Sequence, residues 1–211
     1  MKNDNGTAAR LVGLAREVMQ VSGYAGLHYG SLAKTLGITR AAVHHYYPNK
    51  VDLARRVIAE YCEWTRQQLA EIDVMDAPVD DKMRSYFALY RSIIEEGDER
   101  LCPGGMLAAE VMTLPPELRA DVRKFFDLHV TWVAKVLLGD GSRTEPAGEA
   151  ARVVAALQGA LLVSRLYGRP DSFDAIVDGL MIIVPTTAPI PTKRPARKAS
   201  VPTKTRKNEG R

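Results

Sequence analysis

Apolar positions along this chain recur at helical spacing, three and four residues apart, and almost nowhere in strict alternation. Leu11, Leu14, Ala15, Val18 and Met19 share one face of a helix predicted over 7–22. Leu32, Ala33 and Leu36 give an inward face to a short helix at 30–36, and a second short helix is predicted at 39–46. Lys50 opens a long helix to about Ile72, with Leu53, Val57, Ile58, Tyr61 and Trp64 in register. Ala77-Pro78 starts another, carrying Met83, Phe87, Tyr90 and Ile94, and Gly97-Asp98 breaks it. Gly104-Gly105 precedes a short helix over 106–113. Pro115-Pro116 begins a long one through Leu138, since proline is tolerated in a first turn. Residues 139–148, rich in Gly, Pro and polar types, read as a loop. Residues 149–167 are apolar and helical, and Gly168-Arg169-Pro170 form a turn. Asp171 or Ser172 then caps a last helix that ends before Pro185. The pattern predicts an all-α protein without internal repeats.

The two short helices carry the sharpest local signal. Gly37 sits where one helix must end and the chain must turn, a position that favours positive φ and therefore glycine. Thr39 is a good N-cap for the next helix. Pro48 stops that helix, and Asn49 is placed to cap the one beginning at Lys50. Two short helices around a tight turn make a helix-turn-helix, which lays its second helix in the major groove of DNA. The first residues of that second helix, Thr39, Arg40, Ala41 and Ala42, then face the bases. Arg40 suits either a guanine edge or a phosphate, and the alanines suit thymine methyls. His44, Tyr46 and Lys50 flank them as the phosphate set, with the backbone N–H of Lys50 as a further donor. Val43 and Tyr47 are expected to pack inward, and His45 to lie on the surface.

In these residues the chain resembles the tetracycline-repressor (TetR) family of bacterial transcriptional regulators. Ala33, Gly37, Thr39, Tyr46, Tyr47, Pro48, Lys50 and Leu53 match the family's pattern in order and spacing, and Gly23-Tyr24 match the usual end of its first helix. The likeness is strong over 10–57, only architectural over 58–185, and does not reach the tail. His28, Ser31, Ala41, Ala42 and His44 depart from the commoner residues, so the operator sequence stays open. The resemblance implies a three-helix DNA-binding domain (1–57), a helical effector-binding and dimerisation domain (58–185), and a disordered basic tail (186–211). It assigns backbone-holding roles to Tyr46 and Lys50. It implies a double-stranded DNA operator, a homodimer and an unknown small-molecule effector, most simply for a repressor released by that effector.

Charge agrees with this division. Residues 1–57 hold eight Lys/Arg against three Asp/Glu, residues 58–185 thirteen against twenty-one, and residues 186–211 eight against one. A basic head on an acidic body argues for a polyanionic partner at the head. The tail, with no apolar periodicity, is expected to stay unfolded, either as a solubilising extension or as a non-specific phosphate contact. It also leaves room for an architectural DNA-coating protein, against which the acidic, well-patterned body speaks. No run of the sequence is read as a membrane span, which takes about 20 apolar residues. Two cysteines and a polar N-terminus point to a reducing, cytoplasmic location. Residues 153–163 are apolar nearly all round, so the last two long helices are either core or covered by a partner subunit.

No phosphate loop, nucleophile elbow or dinucleotide fingerprint is present, so no enzyme, catalytic residue or cofactor is expected. Four histidines lack metal-ligand spacing, and no metal is expected. Trp64, Phe87, Tyr90, Phe125, His129 and Trp132 sit at helical spacing as core; the resemblance suggests that some of them, with Cys102, line an effector pocket. Cys102, in Leu101-Cys102-Pro103-Gly104-Gly105, resembles a cysteine of one branch of the family, some of whose members respond to oxidants or electrophiles. A helix N-terminus and Arg100 would favour its thiolate; alternatively it is a small buried hydrophobe. Cys62 is expected to be structural.

Overall fold

The computed structural model describes residues 4–95, 100–139 and 146–183, and among them every regular element is an α-helix. The helices are α1 (Asp4–Ser22), α2 (Tyr29–Leu36), α3 (Arg40–Tyr46), α4 (Lys50–Asp73), α5 (Val79–Glu95), α6 (Pro103–Ala109), α7 (Pro116–Leu138), α8 (Pro146–Tyr167) and α9 (Pro170–Ile183). The break at Gly97-Asp98, most of the 139–148 loop and the tail lie outside the described residues.

Local chemistry explains the first half closely. Leu11, Val12, Ala15 and Met19 bury the inner face of α1. Gly37 ends α2 in the left-handed region at φ 67°, and its N–H returns to the last turn. Thr39 caps α3, its Oγ1 accepting from the Ala42 N–H at 3.1 Å. Asn49 precedes α4 in an extended conformation, but its side chain does not cap that helix. Its amide donates to Asp52 Oδ2 at 3.1 Å instead.

Three boundaries differ from the sequence reading. Helix α6 begins at Pro103 and ends at Ala109, three to four residues before the predicted 106–113. Its glycines lie in the first turn because neighbours press on it. A Cβ at Gly104 would run into the Phe125 ring, and one at Gly105 into the Gln158 amide. The pair therefore marks close packing of α6 on α7 and α8, not a helix stop. Helix α8 starts at Pro146, within the predicted loop, again with proline in a first turn. Helix α9 starts at Pro170, so Asp171 and Ser172 lie inside its first turn and neither is the cap. There Asp171 complements the helix dipole and pairs with Arg169 at 2.7 Å.

Helix α2 packs on α3, α1 on α4 and α6, and α7 on α4 and α8, with α9 covering α8. Buried residues form one continuous cluster from Leu32 and Val43 through Leu53, Val57 and Ile58 to Phe125 and Trp132. Helix α4 carries that continuity, running unbroken across the expected boundary at 57. Ala147–Tyr167 is long and apolar enough to cross a bilayer by length and composition alone; here it lies between α7 and α9.

Candidate functional site

The helix-turn-helix surface has a consistent electrostatic character, since no acidic residue occurs between Glu17 and Asp52. On α3, Arg40 and Ala41 are exposed and Ala42 is half-buried, while Val43 is fully buried and Tyr47 partly so. His44 and His45 are exposed. The His44 Nδ1–H donates to the Pro48 carbonyl at 3.2 Å, and its ring meets Tyr29 edge-on at 4.8 Å. Tyr46 is half-buried. The Tyr29 hydroxyl donates to the Tyr47 carbonyl at 2.7 Å and fastens α2 to the end of α3; burial, helped by the Asp52 carboxylate, pushes the Tyr29 phenol up to about 12.

Lys50 differs from the simple expectation. Its Nζ lies 4.2 Å above the Tyr24 ring and 3.5 Å from the Ala25 carbonyl, so it is folded back on the α1–α2 turn. Burial lowers its pKa, against an upward pull from Glu110. Glu110, the C-cap of α6, holds the same turn: its Oε2 accepts from the N–H groups of Tyr24 at 2.9 Å and Ala25 at 3.2 Å. Gly23 sits at φ 65°, and a Cβ there would run into the Glu110 carboxylate. At the other end of α6, the Leu101 N–H donates to the Gln20 carbonyl at 3.0 Å. Helix α6 is thus tied at both ends to the end of α1 and the turn that follows. Sequence reading missed Glu110, since no local pattern shows a carboxylate reaching a turn 86 residues away. A further tie joins α4 to α7, Arg55 to Asp121 at 2.6 Å.

The body contains a buried polar cluster in an aromatic wall. The Tyr86 hydroxyl lies 2.9 Å from His129 Nδ1 and 3.1 Å from the Tyr90 hydroxyl, which is itself 3.3 Å from Nδ1. Burial lowers the His129 pKa to about 4, so the ring is neutral at pH 7. It also raises the Tyr61, Tyr86 and Tyr90 phenols. A narrow chamber beside the cluster is lined by Trp64, Tyr90, Cys102, Phe125 and His129 from the expected set, with Tyr61, Thr65, Leu89 and Ile93 added. Phe87 and Trp132 are buried but do not line it. The Trp132 indole N–H donates to Asp73 Oδ1 at 3.1 Å, and it is Tyr86, next to Phe87, that reaches His129. A second chamber of about 200 Å³ lies between α6 and α8 and shares Cys102 with the first.

Of its two readings, Cys102 takes that of a small buried residue. It is the N-cap of α6, but it is fully enclosed, and burial pushes its thiol pKa up. The N–H groups of Gly105 and Gly104 and the Gln158 amide pull the other way without reversing the shift. Gln158 Nε2 donates to the sulfur at 3.7 Å, and Arg100 lies 3.9 Å from Glu17. The thiolate is therefore disfavoured. Cys62 is buried too, and its thiol is likewise raised by burial. Among the described residues no three His, Cys, Asp or Glu side chains gather as a metal cage requires.

Comparison with known proteins fits this architecture. Residues 11–57 match the family model for bacterial regulatory proteins of the tetR family, and residues 80–178 match that for the C-terminal domain of LmrA/YxaF-like transcriptional regulators. No curated protein matches the chain. Among solved structures, a TetR transcriptional regulator from Legionella pneumophila is 24% identical with a TM-score of 0.77, over 87% of this chain and 96% of that one. A TetR-family regulator from Agrobacterium tumefaciens is 24% identical with a TM-score of 0.81, over 86% and 98%. Reduced NemR from E. coli is 18% identical with a TM-score of 0.75, over 86% and 99%. At these identities the structural likeness concerns the fold. With an N-terminal helix-turn-helix and a C-terminal domain that both match models of one family of regulators, the chain belongs to the TetR family of DNA-binding transcriptional regulators.

Proposed function

We propose that the protein is a homodimeric cytoplasmic repressor, released from a palindromic operator by a small-molecule effector that binds in the body. One observation carries the ligand-gated part of this reading. Helix α6 lends residues to the second chamber and is hydrogen-bonded at both ends to the segment that leads into the helix-turn-helix. Whatever changes the packing around α6 therefore acts on the DNA-binding head. Release requires only that the effector prefer one arrangement over the other, with a coupling of about 1–3 kcal/mol. Thr39, Arg40, Ala41 and Ala42 are the base-proximal set of this reading, and His44, Tyr46 and Lys50 the phosphate set.

Dimerisation rests on α8. Ala155, Leu162 and Leu166 are exposed and Gly159 is half-exposed, and the four fall on one helical face. Nothing lies within 4 Å of a Cβ added at Gly159. An apolar stripe of this kind is the face a second copy covers in a two-fold dimer, which matches the two half-sites of a palindrome. The reading is tested by selecting duplexes from a random pool with the full-length protein. A palindrome protected by a dimer is the expected result. Even coating without a preferred sequence sinks it in favour of an architectural protein.

A further inference from the structure

The aromatic chamber has a specific chemistry. No charged side chain lines it. Two polar atoms on its lining residues have no hydrogen-bond partner, Thr65 Oγ1 and His129 Nε2, and their residues are only 2% and 4% exposed. The hydrogen count around Nδ1 favours one tautomer of His129 over the other. Each phenol carries one hydrogen, and Nδ1 is within reach of both hydroxyls. With Nδ1 as acceptor, Tyr86 and Tyr90 place both of their hydrogens inside the triangle. A neutral imidazole that accepts at Nδ1 bears its hydrogen at Nε2. The Thr65 hydroxyl brings a second hydrogen. The chamber thus offers two unmade donors, and buried donors are costly to leave unmade.

We infer that this chamber takes a small, flat, uncharged ring bearing a hydrogen-bond acceptor, of the aryl ketone type, with His129 and Thr65 as its donors. The inference rests on the effector reading above and names the class of ligand. A carboxylate would shed its hydration in a chamber that offers no cation. A hydrocarbon would leave both donors unmade. Free space in the chamber is about 10 Å³, close to the room one water needs, so the ring enters by displacing a wall. Trp64 is that wall: it is 41% exposed and stacks on Tyr61 at 5.4 Å and 18°. The ligand replaces the indole against Tyr61, and the second chamber beyond Cys102 gives the thiol room to shift.

Three probes of matched shape test this on the full-length dimer: acetophenone, ethylbenzene and benzoate. Affinity is measured by titration calorimetry and by tryptophan emission, to which Trp64 and Trp132 both contribute. Acetophenone is expected to bind at least about tenfold more tightly than ethylbenzene, with benzoate weakest. In Thr65→Val and His129→Phe that advantage shrinks to about twofold or less. If His129→Phe does not fold, Thr65→Val together with the ¹⁵N shifts of His129 in wild type decides. A protonated Nε2 that moves on adding acetophenone supports the assignment; a protonated Nδ1 overturns it. Equal binding of acetophenone and ethylbenzene overturns the acceptor class while leaving the effector reading standing. Preference for benzoate overturns the uncharged class. No binding by any probe leaves a bridging water as the only occupant and overturns the chamber as a ligand site. Tight acetophenone binding that leaves operator affinity unchanged would sink the effector reading and spare the site.

Discussion

Lys50 and Arg40 are both cations of the DNA-binding head, and their settings separate their roles. Arg40 is exposed at the first turn of α3, whereas Lys50 is drawn back over Tyr24. In the proposed reading Lys50 also holds a phosphate, so replacing it by Ala removes that partner together with its clamp on the α1–α2 turn. Gel shifts should show affinity falling for operator and scrambled DNA alike, with the salt slope shallower by about 1. Replacing Arg40 by Ala should instead change which sequences are preferred, if it reads a base. His129 gives a pH effect of definite sign. Its imidazole protonates near pH 6.5 in an unfolded chain but only near 4 in the folded one. The unfolded state therefore takes up the proton first as pH falls. Stability from this residue is complete above about pH 6.5 and is lost progressively toward pH 4, by about 3 kcal/mol. Urea unfolding between pH 7.5 and 4.5 should fall less steeply for His129→Gln than for wild type; parallel curves would refute the buried neutral imidazole. At this scale the sequence was legible where the cause was local. Gly37 and Thr39 act on their own turns. The two readings of Cys102 could not be separated locally, because its surroundings include Tyr61 of α4 and Gln158 of α8, far away in the chain.

Helix α6 shows why element boundaries were harder to read than element existence. Two glycines in sequence ordinarily suggest a break, but here the space left by missing side chains is filled by Phe125 and Gln158. That fact belongs to α7 and α8 and is invisible in a local window. The same limit applies to the body's aromatics. Helical spacing identified them as core, yet which of Tyr86 and Phe87 faces His129 depends on how α5 is rotated against α7. Once α6 is placed, Glu110 becomes a joint between elements. Substituting Glu110→Ala leaves the Tyr24 and Ala25 N–H groups to water, at a cost of about 0.5–1.5 kcal/mol because neither is fully buried. Hydrogen exchange should quicken at those two amides while amides in α7 stay protected. DNA affinity should fall as the turn under Lys50 loosens. Slow exchange at Tyr24 and Ala25 in the variant would show that the carboxylate does not hold the turn.

The all-helical class was legible across the whole molecule because the long amphipathic runs mark their own inner faces; α8 is the exception, and it is the informative one. It reads as apolar all round, and the fold covers only part of it. Val153, Val154, Leu157 and Leu161 are buried against the body, while Leu162 and Leu166 remain 58% and 74% exposed. A sequence alone does not separate core from surface; the stripe left uncovered after folding is the face the proposed dimer would cover. Gly159 lies in that stripe, and a Cβ added there meets nothing within 4 Å in its own subunit. Gly159→Glu should therefore fold as well as wild type and fail to dimerise, because two carboxylates would face each other in an apolar seam. Sedimentation should then show a monomer at micromolar concentration, with thermal unfolding that no longer depends on protein concentration. The consequence reaches DNA. Each phosphate neutralised steepens log affinity against log salt by about 0.9, and a two-fold dimer brings two copies of every contact. The monomeric variant should keep about half the salt slope and lose preference for a palindrome over a single half-site. A variant that becomes monomeric yet keeps the full slope and the palindrome would mean that the stripe on α8 does not unite the two recognition helices on DNA.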